Sequence, residues 1–374
     1  MMPTVVVLCA WLLFDGTHLL LASPPWRGLR GVVGARRAVR RDAAGAADRG
    51  TAVRPLQRIL LAAVLLVAMP AIAFDLQGHR GTRGHAPENT LAAFERALEI
   101  GVSTLEMDAA ITADGVVVVS HDPFLNPAIT RDAPAHWLPA KGPRIKSLTY
   151  AELQAFDVGR IDPSSAYAGQ FPTQQARDGQ HLPRLADVFA LVKRLGADHV
   201  RFDIETKLYP TRPDDTLAPE EFVRKLLAVI REAGMTRRVM IQSFDWRSLQ
   251  IVHRVEPEME TVYLTARSRN FDTLADGTWT NGLLLKNFAS VADMVRSAGG
   301  TTWAPAFQNL DAEAVKAAQQ LGLKVVPWTV NEPADIDRLI GWGVDGLISD
   351  YPDRVREVMA RRGMPLPPVT ADRR

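Results

Sequence analysis

The regular alternation of short apolar segments with helical patterns is the sequence feature that most constrains this fold. Between many of these segments, apolar residues recur at helical spacing, as in Thr90–Ile100, Glu220–Ala233, Trp246–Val255, Leu310–Leu321 and Asp335–Trp342. Asn89 precedes the first helical pattern and is the predicted N-cap. Such alternation predicts an α/β protein in which helices cover a parallel sheet. The nine candidate strands are Leu76–His79, Thr104–Ala109, Val116–Ser120, Val200–Glu205, Val239–Gln242, Thr261–Leu264, Thr302–Ala304, Val325–Val330 and Gly346–Ser349.

One pair of candidate strands differs from the others. Asp114-Gly115 lies between Thr104–Ala109 and Val116–Ser120, and Asp-Gly is a strong signal for a tight hairpin. One of these two strands is therefore predicted to lie outside the regular pattern, which leaves eight for a (β/α)8 TIM barrel. An open, doubly wound sheet is the alternative, but no glycine-rich dinucleotide loop follows the first strand.

Residues 123–183 interrupt this alternation of strands and helices. They are rich in Pro, Gly and polar residues, with one helical segment near Leu148–Phe156. Long segments of this kind inside a compact domain commonly form lids or binding loops. We therefore predict one barrel domain over residues 74–360, with residues 123–183 as an insertion after the second or third strand and residues 361–374 as a tail.

The first 73 residues have the character of a leader. Arg54 and Arg58 precede the apolar segment Ile59–Met69, and Ala71-Ile72-Ala73 forms a small-x-small cleavage site before Phe74. Residues 53–73 are thus predicted to be a signal peptide of a periplasmic or secreted protein, with no stable membrane insertion after cleavage. A membrane anchor that stays attached is the alternative. Residues 1–52 are predicted to be an unstructured or mis-annotated leader, with translation starting near Val53.

Charge and cysteine content exclude several classes of function. Residues 1–73 carry nine Arg, no Lys and three Asp, whereas the remaining residues carry 35 basic and 39 acidic side chains. A mildly acidic body gives no reason to expect nucleic-acid binding. The single cysteine is Cys9, so neither disulfides nor thiolate metal sites can form in the body. No feature of the sequence predicts an oligomeric state.

Polar residues cluster at the carboxyl ends of the candidate strands, which in a barrel converge on one mouth. Glu106 and Asp108 are two residues apart on one strand and therefore share a face, and Glu205 ends another strand. Two unit charges about 4 Å apart repel by roughly 4 kcal/mol at an effective dielectric of about 20. The three carboxylates therefore predict a bound divalent cation, and their hard oxygen atoms favour Ca²⁺ or Mg²⁺ over Zn²⁺.

Two histidines and two cations complete the candidate site. His79 and His121 also follow strands, and imidazole titrates near neutral pH, which suits an acid–base pair. Arg80 and Lys207 can neutralise phosphate oxygens. Cleavage of a phosphodiester requires one group that removes a proton, one that protonates the leaving alkoxide, and neutralisation of the phosphate. The residues thus predict a metal-dependent phosphodiesterase.

The same residues, in this order, resemble the glycerophosphodiester phosphodiesterase family, and the long insertion resembles that of its periplasmic bacterial members. The resemblance implies a (β/α)8 fold and hydrolysis of a small-molecule glycerophosphodiester to sn-glycerol 3-phosphate and an alcohol. It implies that His79 and His121 are the catalytic acid and base, that Glu106, Asp108 and Glu205 hold the metal, and that Arg80, Lys207 and Trp328 contact substrate. The matching segments are Gly78–Gly81, Pro87–Thr90, Glu106–Asp108, His121-Asp122, Glu205–Lys207, Gln242–Phe244, Trp328–Asn331 and Asp350–Pro352.

Alternatives remain at three points. The attacking oxygen is either that of water or the glycerol 2-hydroxyl, which would give a cyclic phosphate. A related enzyme of the lysophospholipase D or sphingomyelinase D type would use the same barrel with a more apolar entrance. A noncatalytic barrel that binds phosphorylated ligands is the alternative from another class, and it predicts a missing acid, base or metal ligand. The aromatic residues considered for the apolar entrance are Phe124, Trp137, Phe171 and Trp303.

Overall fold

The computed structural model describes residues 74–133 and 135–370. The predicted signal peptide and leader lie outside the described residues, as do Pro134 and the last four residues of the predicted tail. Nine strands occur within the described ranges. They are Asp75–Gly78 (β1), Thr104–Ile111 (β2), Val117–Val119 (β3), Arg201–Thr206 (β4), Val239–Ser243 (β5), Glu260–Thr265 (β6), Thr302–Pro305 (β7), Lys324–Val325 (β8) and Gly346–Ser349 (β9).

Eight of these strands form a parallel, nearly closed barrel in the order β8-β7-β6-β5-β4-β2-β1-β9. Backbone hydrogen bonds connect the two ends of this path: Asp345 N donates to Val325 O (2.9 Å), and Ile348 N donates to Pro327 O (3.1 Å). The predicted TIM-barrel-like α/β fold is therefore confirmed.

The extra strand is β3, which pairs antiparallel with the end of β2. The turn between them contains Gly115 with a φ of 83°, a left-handed conformation that glycine adopts without a steric penalty. The Asp-Gly signal therefore identified the hairpin correctly. Strand β3 lies beside the barrel and is not one of its eight strands.

Helices follow most of the barrel strands. Helix α1 begins at Leu91, and its N-cap is Thr90, whose hydroxyl accepts a hydrogen bond from Ala93 N at 3.2 Å. The predicted N-cap, Asn89, is therefore wrong, because its side chain bonds to Asp108 instead. The described helices are Leu91–Ile100 (α1), Tyr150–Leu153 (α2), Leu185–Arg194 (α3), Pro219–Glu232 (α4), Trp246–Val255 (α5), Val291–Ser297 (α6), Ala312–Gln320 (α7), Pro333–Trp342 (α8) and Pro352–Arg361 (α9).

Strand alternation gives the barrel two different faces. Outward side chains such as Leu105 and Met107 of β2 are fully buried in the core between strands and helices, together with Phe94 and Phe189 of α1 and α3. Burying a side chain of this size contributes about 1.5–3 kcal/mol. The alternate residues of β2, Glu106 and Asp108, are polar and equally buried. Packing in this outer core therefore fixes the position of β2, whose other face carries the two acidic side chains.

The insertion packs against the β2–β3 hairpin through a small second core, which includes Val118, Leu125, Ile145 and Leu182. Its predicted helical segment, Leu148–Phe156, is reduced to the four residues of α2, with Thr149 forming a capping box with Glu152. A later part of the insertion, residues 167–175, lies against the loop that follows β1. There Thr173 Oγ1 donates to Gly84 O (2.9 Å), and Gln174 Nε2 donates to Arg83 O (2.7 Å).

The described part of the tail runs back along the barrel, where Thr370 N donates to Leu98 O at 2.9 Å. Among the residues that the structure describes, none of the helices has the length and apolar character needed to cross a membrane.

Candidate active site

A cavity opens where the carboxyl ends of the barrel strands meet. Seven of the eight residues predicted from the sequence line it, and the eighth, Asp108, lies directly behind them at 1% exposure. The lining residues are His79, Arg80, Arg83, Glu106, His121, Glu205, Lys207, Gln242, Phe244, Leu264, Trp328, Thr329 and Ile348. The structure thus brings together predicted residues that are up to 249 positions apart in the sequence, from His79 to Trp328, and lining residues up to 269 positions apart, from His79 to Ile348.

Three carboxylates form the centre of this site. Glu106, Asp108 and Glu205 are buried, and each offers an oxygen atom within 4.8 Å of the others. Glu106 accepts hydrogen bonds from Arg80 N and from Gln242 Nε2, both at 2.7 Å. Three buried oxygen donors at this spacing fit a hard divalent cation such as Ca²⁺ or Mg²⁺.

The pKa values of these carboxyls show how strongly the three charges compete. Burial, reinforced by the charge of Asp108, raises the pKa of Glu106 well above its usual range. Burial also raises the pKa of Glu205 to about 7, although Lys207 opposes it. Burial acts in the same direction on Asp108, but Lys207, His121 and Arg80 together hold its pKa well below the usual range. The negative charge is therefore concentrated on Asp108 and is only partly tolerated on its neighbours.

His79 is held by a carboxylate behind it. Its Nδ1 lies 2.6 Å from Asp350 Oδ1, and since a carboxylate only accepts hydrogen bonds, Nδ1 carries the proton. The other ring nitrogen, Nε2, lies 3.9 Å from Glu106 Oε2. Burial and the nearby Arg83 lower the pKa of His79 to about 4, against the opposing effect of Asp350. The ring is therefore neutral near pH 7, with the lone pair of Nε2 on the side of Glu106.

His121 has a similar but looser arrangement. Its Nδ1 lies 3.3 Å from Asp122 Oδ1, and Asn126 Nδ2 donates to the other oxygen of Asp122 at 2.7 Å. The side chain is 30% exposed. Its partial burial and the cations Arg80 and Lys207 lower its pKa to about 4. Its greater exposure leaves this ring freer to adjust to a bound molecule than His79.

Arg80 and Lys207 are the cations nearest to the carboxylates. Lys207 Nζ lies 3.0 Å from Glu205 Oε1 and 3.5 Å from Asp108 Oδ1. Arg80 Nη1 donates to Glu88 Oε1 at 2.6 Å. Its Nε is buried and forms no hydrogen bond among the described residues, but it lies 3.5 Å from Asp108 Oδ2 in an ion pair. The guanidinium that lines the cavity is thus held by Glu88 and Asp108.

The loop after β1 owes its shape to two unusual backbone positions. Gly81 has a φ of 84°, and a Cβ added there would come within 2.7 Å of the backbone of Ala93, so only glycine fits against α1. Arg80 itself has a φ of 50°, which directs its N–H at Glu106. Asn89 also has a positive φ, and its Nδ2 donates to Asp108 Oδ2 at 2.9 Å. Asn89 thus supports a predicted metal ligand, a role that the sequence interpretation missed.

Several other residues of the site were given no role in the sequence analysis. Asp350 follows β9 and belongs to one of the segments that resemble the family, but only its position at a strand end signalled a function. Besides His79, it accepts hydrogen bonds from Arg83 Nε (2.7 Å) and Asn331 Nδ2 (2.8 Å). Tyr167, in the insertion, donates to Glu88 Oε2 and accepts from Arg83 Nη1 at 3.1 Å. Nothing in the sequence pattern marked Arg83 or Tyr167.

Aromatic residues form one side of the cavity. Trp328 lines it as predicted, with its Nε1 donating to Ala304 O (2.8 Å) and its ring 5.3 Å from that of Phe244. None of the four residues considered for an apolar entrance lines this cavity. Trp303 is buried and donates to Thr265 Oγ1. The other three, Phe124, Trp137 and Phe171, each have a lysine or arginine over the ring.

The fold and this site define the chain as a TIM-barrel-like hydrolase with a carboxylate group suited to a divalent cation. The chain belongs to the glycerophosphoryl diester phosphodiesterase family, whose sequence model matches residues 79–354, and it is therefore a glycerophosphodiester phosphodiesterase. The resemblance to this family read from the sequence is thereby confirmed, whereas the periplasmic type stays a prediction.

Individual relatives agree with this assignment. A candidate glycerophosphoryl diester phosphodiesterase of known crystal structure from Silicibacter pomeroyi DSS-3 is 38% identical, with a TM-score of 0.71 over 78% of this chain and 95% of that one. The glycerophosphodiester phosphodiesterase of Bacillus subtilis is 30% identical over 75% of this chain and 84% of its own length. That of Caldanaerobacter subterraneus is 28% identical over 76% and 97%.

Proposed function

We propose that this enzyme hydrolyses glycerophosphodiesters to sn-glycerol 3-phosphate and an alcohol, with His79 and His121 exchanging protons and Glu106, Asp108 and Glu205 holding one divalent cation. The observation that carries the proposal is the meeting of three carboxylates, two carboxylate-oriented histidines and two cations around one cavity. No acid, base or ligand type that the reaction needs is missing from this set, which argues against a noncatalytic barrel.

The two histidines have complementary positions for proton transfer. His79 holds its Nδ1 proton against Asp350, so that Nε2 can accept or return a proton. The more exposed His121 turns its Nδ1 towards Asp122. When a phosphodiester anion binds beside either ring, its negative charge favours the protonated imidazole. One histidine then removes the proton of the attacking hydroxyl while the other protonates the leaving alkoxide.

Phosphate binding depends on groups that already point at the carboxylates. The guanidinium of Arg80 and the Nζ of Lys207 both belong to side chains that line the cavity, and they can donate to nonbridging phosphate oxygens. A bound divalent cation supplies additional positive charge for those oxygens. The attacking oxygen is that of water or the glycerol 2-hydroxyl, and a 2-deoxyglycerol diester separates the two. Normal turnover of that analogue eliminates the cyclic route.

The purified enzyme should release sn-glycerol 3-phosphate from glycerophosphocholine and glycerophosphoethanolamine in the presence of Ca²⁺ or Mg²⁺. Phosphorus NMR of the reaction identifies the product, and lysophosphatidylcholine serves as the competing substrate. Faster cleavage of the lysolipid would overturn the choice of substrate in favour of a lysophospholipase D. Binding of the diesters without turnover would support the noncatalytic alternative.

Tyr167 should act as a positioning residue for Arg80. Its hydroxyl fixes Glu88, which in turn fixes Arg80 Nη1. Hydrogen bonds to charged groups contribute about 1.5–3 kcal/mol, so Tyr167→Phe should lower kcat/KM by roughly tenfold or more, mainly through a higher KM. Tyr150→Phe is the matched control in the same insertion, because Tyr150 lies outside the cavity, under Arg184. A lower thermal stability with unchanged KM would show that Tyr167 is merely structural.

We also propose that the enzyme acts in the periplasm or is secreted. The composition of residues 53–73 supports this, and cleavage after Ala73 would leave β1, which begins at Asp75, intact. N-terminal sequencing of the exported protein should therefore start at Phe74, and Ala73→Leu should block this processing. A mature N-terminus that retains residues 53–73 would favour the membrane anchor. Recovery of peptides from residues 1–50 would disprove a translation start near Val53.

A further inference from the structure

Four aromatic residues that contact one another beside the cavity are here called the aromatic wall: Phe244, Phe271, Trp279 and Trp328. Phe244 and Trp328 line the cavity itself. Phe271 and Trp279 lie in the loop between β6 and α6 and pack against Phe244. The ring of Phe271 is 5.3 Å from Phe244 and 5.5 Å from Trp279, and Phe271 is 38% exposed, which is unusual for a large apolar residue.

The rings of the aromatic wall stand nearly perpendicular to one another. The interplanar angle is 78° between Phe244 and Trp279 and 87° between Phe271 and Trp279. Two perpendicular rings that share one cation about 4.5 Å in front of each have centroids about 6.4 Å apart, within the usual range of cation–π contacts. The observed separation of Phe244 and Trp279 is 6.3 Å. This separation fits such a corner, and it is also a normal distance for two rings packed edge to face.

The protein places no cation of its own on these rings. Among the described residues, no lysine or arginine lies over any member of the aromatic wall. Elsewhere such pairing is common: Lys141 lies 3.7 Å from the ring centre of Phe124, and Arg131 lies 5.5 Å from that of Trp137. No side-chain cation of the described residues therefore competes for the aromatic wall, whose rings contact one another edge to face.

The loop that carries the outer rings is already ordered by hydrogen bonds. Trp246 N donates to Trp279 O at 2.8 Å, which ties Trp279 to the start of α5. Ser268 N donates to Phe271 O at 2.9 Å, and Thr273 N donates to Ala266 O at 2.9 Å, closing a short loop around Phe271. A loop backbone ordered in this way loses little conformational freedom when a ligand binds.

Cationic and aromatic side chains of this region come from different strands of the barrel. The phosphate-binding groups Arg80 and Lys207 come from the strand ends of β1 and β4, whereas the aromatic wall comes from β5, β6 and β8. We propose, on the basis of the proposed function, that the aromatic wall binds the trimethylammonium group of a choline phosphodiester. Aromatic faces attract a quaternary ammonium, which offers no hydrogen-bond donors and therefore needs no polar partners. The choline then forms the alcohol that leaves the phosphate.

The test compares two substrates of the same shape that differ in one charge. These are glycerophosphocholine and its 3,3-dimethylbutyl analogue, in which carbon replaces the nitrogen. For the wild type, kcat/KM for the choline diester should exceed that for the neutral analogue by about threefold to thirtyfold. Trp279→Leu and the more exposed Phe271→Leu should each reduce this ratio towards one. Trp137→Leu, which removes an aromatic ring outside the cavity, should leave the ratio unchanged.

The outcomes separate this proposal from the function on which it rests. Equal or faster cleavage of the neutral analogue by the wild type overturns the cation site and indicates an apolar occupant. An unchanged ratio in both leucine variants also overturns it. If neither diester is hydrolysed, the proposed function fails and the cation site with it. Measuring kcat/KM for lysophosphatidylcholine beside glycerophosphocholine shows whether the enzyme prefers the trimethylammonium group on a soluble diester or on a lipid.

Discussion

His79→Ala should lower kcat by about 10²- to 10⁴-fold, the usual contribution of a positioned acid–base group, with a much smaller effect on KM. The reason is that His79 Nε2 is the ring atom on the side of Glu106, one of the proposed metal ligands, while Arg80 and Lys207, the proposed phosphate contacts, remain in place. The variant should fold, because Asp350 keeps its hydrogen bonds to Arg83 and Asn331 when the imidazole is removed. Steady-state kinetics with glycerophosphocholine measure both constants.

His85→Ala is the matched control for this variant. His85 lies in the same loop and also binds a carboxylate, with its Nε2 2.7 Å from Asp353 Oδ1, but it does not line the cavity. Its replacement should leave kcat close to that of the wild type. If His79→Ala and His85→Ala have similar kcat values, His79 is not the proton-transfer group.

The kcat of Asp350→Asn should lie between those of His79→Ala and His85→Ala, because this substitution removes the charge that orients His79 but leaves the ring.

Strand periodicity accounts for the part of the site that the sequence made visible. A spacing of two on β2 places Glu106 and Asp108 on one face, and parallel strand ends bring Glu205 to the same place. The structure shows this group with oxygen atoms within 4.8 Å of one another. The Asp-Gly turn similarly distinguished β3 from the eight barrel strands. These inferences depend only on local pattern and on the geometry shared by all parallel barrels.

Long-range contacts account for what the sequence did not show. Tyr167 meets Glu88 across 79 positions of sequence, in an insertion without periodicity. The left-handed backbone of Asn89 turns its side chain towards Asp108, whereas its position before a helix suggested a cap. The aromatic wall was missed because Phe271 and Trp279 lie in an irregular loop. In each case the position is decided by tertiary packing and not by neighbours in the sequence.

Loss of one carboxylate should abolish the response to metal while sparing the fold. Glu205→Gln keeps the shape of the side chain and removes one of three buried carboxyl groups that compete for negative charge, and Lys207 retains Asp108 at 3.5 Å. The raised pKa of Glu205, about 7, shows that its charged form is disfavoured before a cation binds. The metal-free variant should therefore be at least as resistant to heat as the metal-free wild type.

Addition of Ca²⁺ or Mg²⁺ should then raise the Tm of the wild type much more than that of Glu205→Gln. A ligand present at about 100 times its Kd stabilises the folded state by about 2.7 kcal/mol, so the Tm of the wild type should rise by several degrees. The Tm of Glu205→Gln should rise far less, and its kcat/KM should fall by about 10²-fold or more. Glu260→Gln is the control, since Glu260 pairs with Arg201 at the opposite end of the barrel strands and should keep the metal response. Activity that survives EDTA, or a Glu205→Gln variant with a normal metal-induced rise in Tm, would refute the assignment of these carboxylates.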